Sequence, residues 1–390
     1  MAKENNGQAV RDYKSRKKRV KRIRIIVILA LLTALAIGGS VYLYGLFNKN
    51  YKNCEVINTS DHVTDSVTEF ISYQSAVIRY SKDGAEAVDK DGKKMWNGSY
   101  QMDKPIADTC GKYAVIADQG GKTIEIYDDK GGAGHITTVY DIVEVKIASQ
   151  GVVAVLMESE NTNHVTLYDK DGTVLVDQAT DMLKDGYPID IALSEDGQKL
   201  ITDFLSIKSG KVVGIITFYN FGEVGQNWTD GIMGAYTFEG IVIPRVAFNN
   251  NDTVCAFKDN GLMIFEYKEQ PKPVLEQNFE EKITSVLYNK ANAGVVLDAG
   301  DGGTHKLVLY DLLGKKTLEK KIDFNFSHIE MTDEEIIMND GMSCIIMKPN
   351  GKVKFNYTFD SGISALIPIN NLDRYLLVSD KRISQIALTE

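Results

Sequence analysis

Residues 143 to 178 pass through four short apolar stretches, "VEVKIAS", "GVVAVLM", "HVTLYD" and "TVLVDQ", parted by polar or glycine-bearing turns. Short runs rich in Val, Ile, Leu and Tyr between turn residues predict β-strands. Four strands with short connections consume roughly 40 residues. The stretch is therefore expected to be a four-stranded antiparallel meander.

The same phrase returns along the chain. "VTLYDKDGTVLVDQ" at 165 to 178 is matched by "IEIYDDKGGAGHITTV" at 124 to 139 and "LVLYDLLGKKTLEKKI" at 307 to 322. With the Tyr as a mark, equivalents fall at Val88, Tyr127, Tyr168, Phe218, Phe265, Tyr310, Met347 and, more loosely, Ala387, spaced 37 to 50 residues apart. A period in that range belongs to solenoids and propellers. The Asp-x-x-Gly after the mark reads as the hairpin between third and fourth strands, with Asp favoured at the first turn position and Gly at the fourth. "SEDGQKLITDFL", 194 to 205, predicts a similar turn one strand earlier in its own unit.

One such sheet cannot hide both apolar faces, and four-stranded units arranged radially form a β-propeller. The last unit, "ISALIPI", "RYLLVSD" and "ISQIALT", stops one strand short at Glu390. The β-prone piece "CEVIN", Cys54 to Asn58, is expected to supply that strand, over 53–58, and join the ends of the ring. The expected fold is an all-β, eight-bladed β-propeller with blades near 67–102, 103–142, 143–182, 187–240, 241–282, 283–324, 325–362 and 363–390 with 53–58. It becomes seven if the first unit is not a blade. A pair of β-sandwiches would leave the constant period unexplained.

The repeats resemble those of the quinoprotein-dehydrogenase-like (PQQ-like) β-propellers, in which an apolar-x-apolar-Asp step is followed by a turn Gly, often Lys, and an apolar or Trp position, as in "AVDKDGKKMW" at 87 to 96. The layout of basic tail, one span and eight-unit ring also looks like a group of uncharacterised single-pass membrane proteins of Gram-positive bacteria. The likeness covers nearly the whole chain and bears on fold far more than on activity.

Charge divides the chain. The net charge is -9, yet residues 1–24 hold ten Lys or Arg against Glu4 and Asp12, leaving -17 for the remainder. Between them "IIVILALLTALAIGGSVYLYGLF", residues 25–47, has no charged side chain. At ~1.5 Å per residue it spans a hydrocarbon layer of roughly 30 Å. The cluster Lys14 to Arg24 is expected to stay in the cytoplasm, with Tyr42 and Tyr44 at the opposite interface. The expected layout is a cytoplasmic tail 1–24, a transmembrane helix 25–47 in contact with the lipid bilayer, and an extracytoplasmic domain 48–390. A cleaved signal peptide with Ala34-Leu35-Ala36 as its site fits less well, because the apolar run and the n-region are both long. Lipid anchoring at Cys54 fits poorly with the preceding "NYKN".

The residues offer little covalent chemistry. The resemblance to quinoproteins implies tryptophan stacking, a carboxylate-held calcium and a catalytic Asp, but the chain has only Trp96 and Trp228. Trp96 reads as an ordinary outer-strand packing residue. "DKDG" at 89 to 92 and 169 to 172 lacks the spacing and distal Glu of a calcium loop, and turn chemistry explains it. Cys54, Cys110, Cys255 and Cys344 are spread singly, which gives no zinc spacing and predicts isolated buried thiols. His62, His135, His164, His305 and His328 are dispersed, with no hydrolase or phosphate-loop motif around them. No cofactor, metal or catalytic residue is therefore expected. The acidic ring disfavours nucleic acid.

The longest irregularity is "NFGEVGQNWTDGIMGAYTFEG", 220 to 240, which reads as an extended loop collecting Trp228, Met233, Tyr236 and Phe238. Aromatics and Met are enriched at binding surfaces, although the same residues could simply pack down on the blade. The expected function is a binding platform at the plasma membrane for protein or cell-envelope partners, with Trp228 as anchor. The rival is an extracytoplasmic quinone-cofactor oxidoreductase or polysaccharide-acting enzyme.

Overall fold

The computed structural model describes residues 21, 24–29, 31–40, 45, 49–61, 68–182, 185–300, 303–369, 372–379 and 382–390. The chain divides into two compact units, 1–50 and 51–390. In the first, residues 24–29 and 31–40 are helical and the apolar side chains of Ile25, Leu29, Leu32 and Leu35 are exposed. Among the described residues no helix is long and apolar enough to cross a membrane. The expected tail up to residue 20, parts of the 25–47 stretch and His62 lie outside the described residues.

The second unit is an eight-bladed propeller. Seven antiparallel four-stranded sheets follow one another, at 69–99, 105–137, 141–181, 187–239, 245–278, 283–322 and 328–358. The eighth is completed from both chain ends: Asn53–Asp61 pairs with Arg382–Thr389, in register from Asn53 opposite Thr389 to Asp61 opposite Arg382. The closing strand thus runs three residues beyond the expected 53–58. First strands of successive blades lie against one another around the axis.

The repeated phrase is now explained. In seven blades the pairing of third and fourth strands slips by one residue, and the slip falls at Val88, Tyr127, Tyr168, Tyr219, Phe265, Tyr310 and Met347. The mark of the fourth blade is therefore Tyr219, one residue after Phe218, and "YNFG" replaces "YDKDG" with Asn220 accepting the Gly222 N–H at 2.9 Å. In blades one, three, six and seven a three-residue hairpin ending in a left-handed glycine produces this slip, while blades four and five make it with longer connections. In the third blade the Gly172 N–H donates to the Asp169 carbonyl at 2.9 Å, and Gly172 has φ +84°. "SEDG" makes its turn between the first and second strands of its blade, with the Gly197 N–H on the Ser194 carbonyl at 2.8 Å. That is two hairpins earlier than the repeated turn, where one had been expected.

Packing gives the period its energetic reason. Among the described residues the core separates into eight clusters, one at each blade–blade interface. A single sheet would leave half of this surface wet, at roughly 25 cal/mol per Å². Each repeated turn also rests on the preceding blade. A Cβ on Gly134 of the second blade would lie 2.0 Å from the Lys170 carbonyl oxygen in the third blade's turn. Tyr127 stacks on Trp96 with ring centroids 4.5 Å apart, and Trp96 is buried in the first blade's fourth strand. Of the four cysteines, Cys255 and Cys344 are buried while Cys54 and Cys110 are half-buried, and all are free thiols.

Candidate functional site

Strand direction alternates within each blade, so the first–second and third–fourth turns share one end of the ring. The chain also enters there, because Asn53 pairs with Thr389 at the close of a third strand. This end is called the entry face. Here the ends of the first strands of blades one to seven enclose an open cavity of 730 Å³, whose lining includes Asp108, Cys110, Lys146, Arg245, Tyr288 and Lys290.

Alternation along the first strands turns these polar groups inward, and they pair across blades. The Ile147 N–H donates to Asp108 at 2.9 Å, and the Val246 N–H donates to Asp190 at 2.7 Å. Lys146 reaches Glu144 at 2.5 Å, while Arg245 lies 3.3 Å from Asp190 and 3.8 Å from Glu144. Burial raises the pKa of Asp108 and of Asp190, with Glu144 adding to the latter. Lys146 is raised too: burial opposes its charge, but Asp108, Glu144 and Asp190 outweigh that. Beside this network Asp203, 1% exposed and opposite Asp190 in the next strand, is pushed up to about 8 by burial and by Asp190. It therefore holds a proton at neutral pH.

The cavity lining contains no histidine. Its one thiol, Cys110, is pushed up to about 11 by burial and by Glu195 and Asp108, and so stays a thiol near neutrality. What the cavity supplies is hydrogen-bonding and charged groups of both signs, suited to holding a polar ligand or peptide segment.

The residues expected to bind lie on the outer side of the fourth blade, apart from the cavity. Only 221–231 is irregular, with short turns at Gly225–Asn227 and Thr229–Gly231; Ile232–Glu239 is the fourth strand. The extended loop expected at 220 to 240 is thus half strand, and a strand buries alternate side chains. Met233 is 4% exposed in the core between blades four and five. Tyr236 is half-buried, donates to the Pro271 carbonyl at 2.9 Å and packs 5.0 Å from Phe265. Phe238 is half-buried beneath the Lys258 ammonium. Trp228 is 44% exposed and borders a 450 Å³ groove with Val224, Met233 and Glu266. The charged inner-strand residues were missed because they are spread over several repeats, with only Glu144 and Lys146 neighbours in one strand, and the ring brings the rest together.

Among solved structures the chain is similar to BamB from Moraxella catarrhalis, at 13% identity and a TM-score of 0.54, over 86% of this chain and 100% of that one. Kuenenia stuttgartiensis hydrazine synthase (12%, TM-score 0.47, 74% and 94%) and Kluyveromyces marxianus Hsv2 (10%, TM-score 0.47, 82% and 98%) are also similar. At these identities the likeness is one of fold. No curated protein sequence matches the chain. The profile of one family matches residues 47–388, from the last residue of the apolar run almost to the C-terminus, and the chain belongs to that family, the family of unknown function DUF5711.

Proposed function

We propose that this protein is a membrane-anchored recognition platform. Residues 25–47 span the plasma membrane, the basic tail stays in the cytoplasm, and the propeller stands outside to bind protein or cell-envelope partners through its entry face. The observation that carries the reading is the cavity lined by seven blades, which offers carboxylates, three basic side chains and backbone turns. Rigid first strands hold these groups, so a partner meets a preorganised surface and loses little by ordering it. Trp228, exposed beside its groove, is a second contact on the blade flank.

The test is cross-linking in cells that express the full chain, followed by identification of neighbours. Lys290→Glu at the cavity and Trp228→Ala at the groove are the comparisons. A specific neighbour lost in either variant supports the platform. Neighbours unchanged in both, or a cofactor absorption band or bound calcium in the purified protein, would overturn it in favour of an enzyme.

A further inference from the structure

The sector of the entry face formed by blades six and seven departs from the acidic character of the ring. Its sixth-blade hairpin carries Leu313, 84% exposed, the most exposed large apolar side chain among the described residues. Lys315 and Lys316 follow it directly. In the seventh blade the equivalent hairpin brings Lys348, Lys352 and the exposed Val353. The seventh-blade hairpin rests on the sixth blade's fourth strand, because Lys320 donates to the Gly351 carbonyl and a Cβ on Gly351 would lie 2.8 Å from Leu318.

The chain enters the propeller beside this sector. The Tyr51 N–H donates to the Lys354 carbonyl at 2.8 Å, and Tyr51 bridges to Phe355, two and three residues past Lys352. Lys52 is exposed next to it. Lys52, Lys315, Lys316, Lys320, Lys348 and Lys352 share this sector with Asp311, Glu319, Glu334 and Glu390, and Lys316 pairs with Glu319; the lysines remain in excess on a part of the chain, residues 25–390, that carries -17 with them included. Burial and the neighbouring Lys354 hold the Lys348 ammonium below the ordinary lysine range.

We propose that this sector docks on an anionic lipid surface, with Leu313 entering the headgroup region and the lysines meeting phosphate. Basic side chains close to a charged bilayer are drawn to its phosphates, and an exposed leucine adds its burial. Neither alone holds a protein on a membrane, but a chain already tethered nearby needs only a weak contact. The entry point singles out lipid over a second copy of this chain, because the segment that leads to the anchor joins the propeller beside this sector. The inference rests on the anchoring reading above, and the experiment separates the two.

The full chain carrying L313W and W228F is reconstituted into vesicles of phosphatidylcholine, with or without brominated phosphatidylglycerol. Trp96, buried, supplies a constant background. The expected result is that the introduced indole shifts to the blue and loses most of its emission only with the brominated anionic lipid. K315E/K316E/K352E should abolish the quenching while the protein still floats with the vesicles. Should that variant melt early, added salt replaces it, since headgroup attraction is screened. Protein that floats while the indole remains red and open to iodide overturns docking but leaves the anchor standing. Release by alkaline carbonate overturns the anchor, and quenching read beforehand reports docking independently. Equal shifts in neutral lipid, or a blue shift already present in detergent, overturn the lipid assignment in favour of a protein contact.

Discussion

Asn58 of the closing strand donates its side-chain amide to the Asp91 carbonyl of the first blade at 2.6 Å, across the seam where the two ends of the propeller chain meet. Asp91 belongs to the first blade's repeated turn, and a Cβ on Gly92 would lie 3.4 Å from Ser60. The closing strand thus completes the eighth sheet and seats the first blade. Asn58→Ala should cost about 1 kcal/mol, the worth of one such bond. Deleting residues 53–61 should lower the melting temperature far more and open the last blade to protease. Equal protease resistance of the deleted and intact chains would show that the seam carries no stability.

Glycines at the turns separate two effects. Gly120 has φ +83° with open space around it, so Gly120→Ala carries only the backbone penalty, roughly 1–2 kcal/mol. Gly134 has ordinary φ, yet its Cβ would meet the Lys170 carbonyl, a backbone atom that cannot swing away. Gly134→Ala should be the more damaging, and denaturant midpoints of the two variants decide the order.

Between blades seven and eight, the buried Lys354 ammonium meets the Glu335 carboxylate and donates to the Tyr375 hydroxyl at 2.8 Å. Lys354→Met should cost about 3–5 kcal/mol by stranding a buried charge. Removing Glu335 as well should recover much of the loss. An additive double-variant cycle would argue against the coupling.

Asp203 predicts a pH dependence. Its folded pKa of about 8 lies above the ordinary 3.8, so between those values the folded state binds a proton that the unfolded chain has released. Stability from this group is complete below pH 4 and declines as pH rises to 8, by at most about 6 kcal/mol. Asp203→Asn should flatten that slope, gaining on the wild type most at pH 8. Parallel melting curves for the two proteins from pH 5 to 8 would refute it.

Met233 and Trp228 should part company although five residues separate them. Met233→Ala removes a core side chain and should cost about 2–5 kcal/mol. Trp228→Ala, at an exposed site, should stay within about 0.5 kcal/mol. Thermal melts check both, and a large loss for Trp228→Ala would mean that its role is structural.

Much of the architecture was legible along the chain because every unit must repeat the same turn. Asp169 and Gly172 announce their hairpin by local chemistry alone, and the missing strand after Ile383–Thr389 pointed to the segment at Cys54. The fourth blade was harder. Asn220 stands where Asp usually does, which displaced the mark to Phe218, and the strand Ile232–Glu239 was hidden behind Gly231 and Gly234. The candidate cavity was not legible at all, since Asp108, Lys146, Asp190 and Arg245 come from four different repeats and nothing along the chain says that they meet.

Sequence by itself determined the repeat and the turn chemistry, because backbone hydrogen bonding and left-handed glycines act over a few residues; it left seven blades open against eight. Only the tertiary structure decided which charges face one another and which aromatics are covered. Those depend on the angle at which one blade meets the next, and so Tyr236 is half-buried against Phe265 while Trp228 is left exposed to solvent.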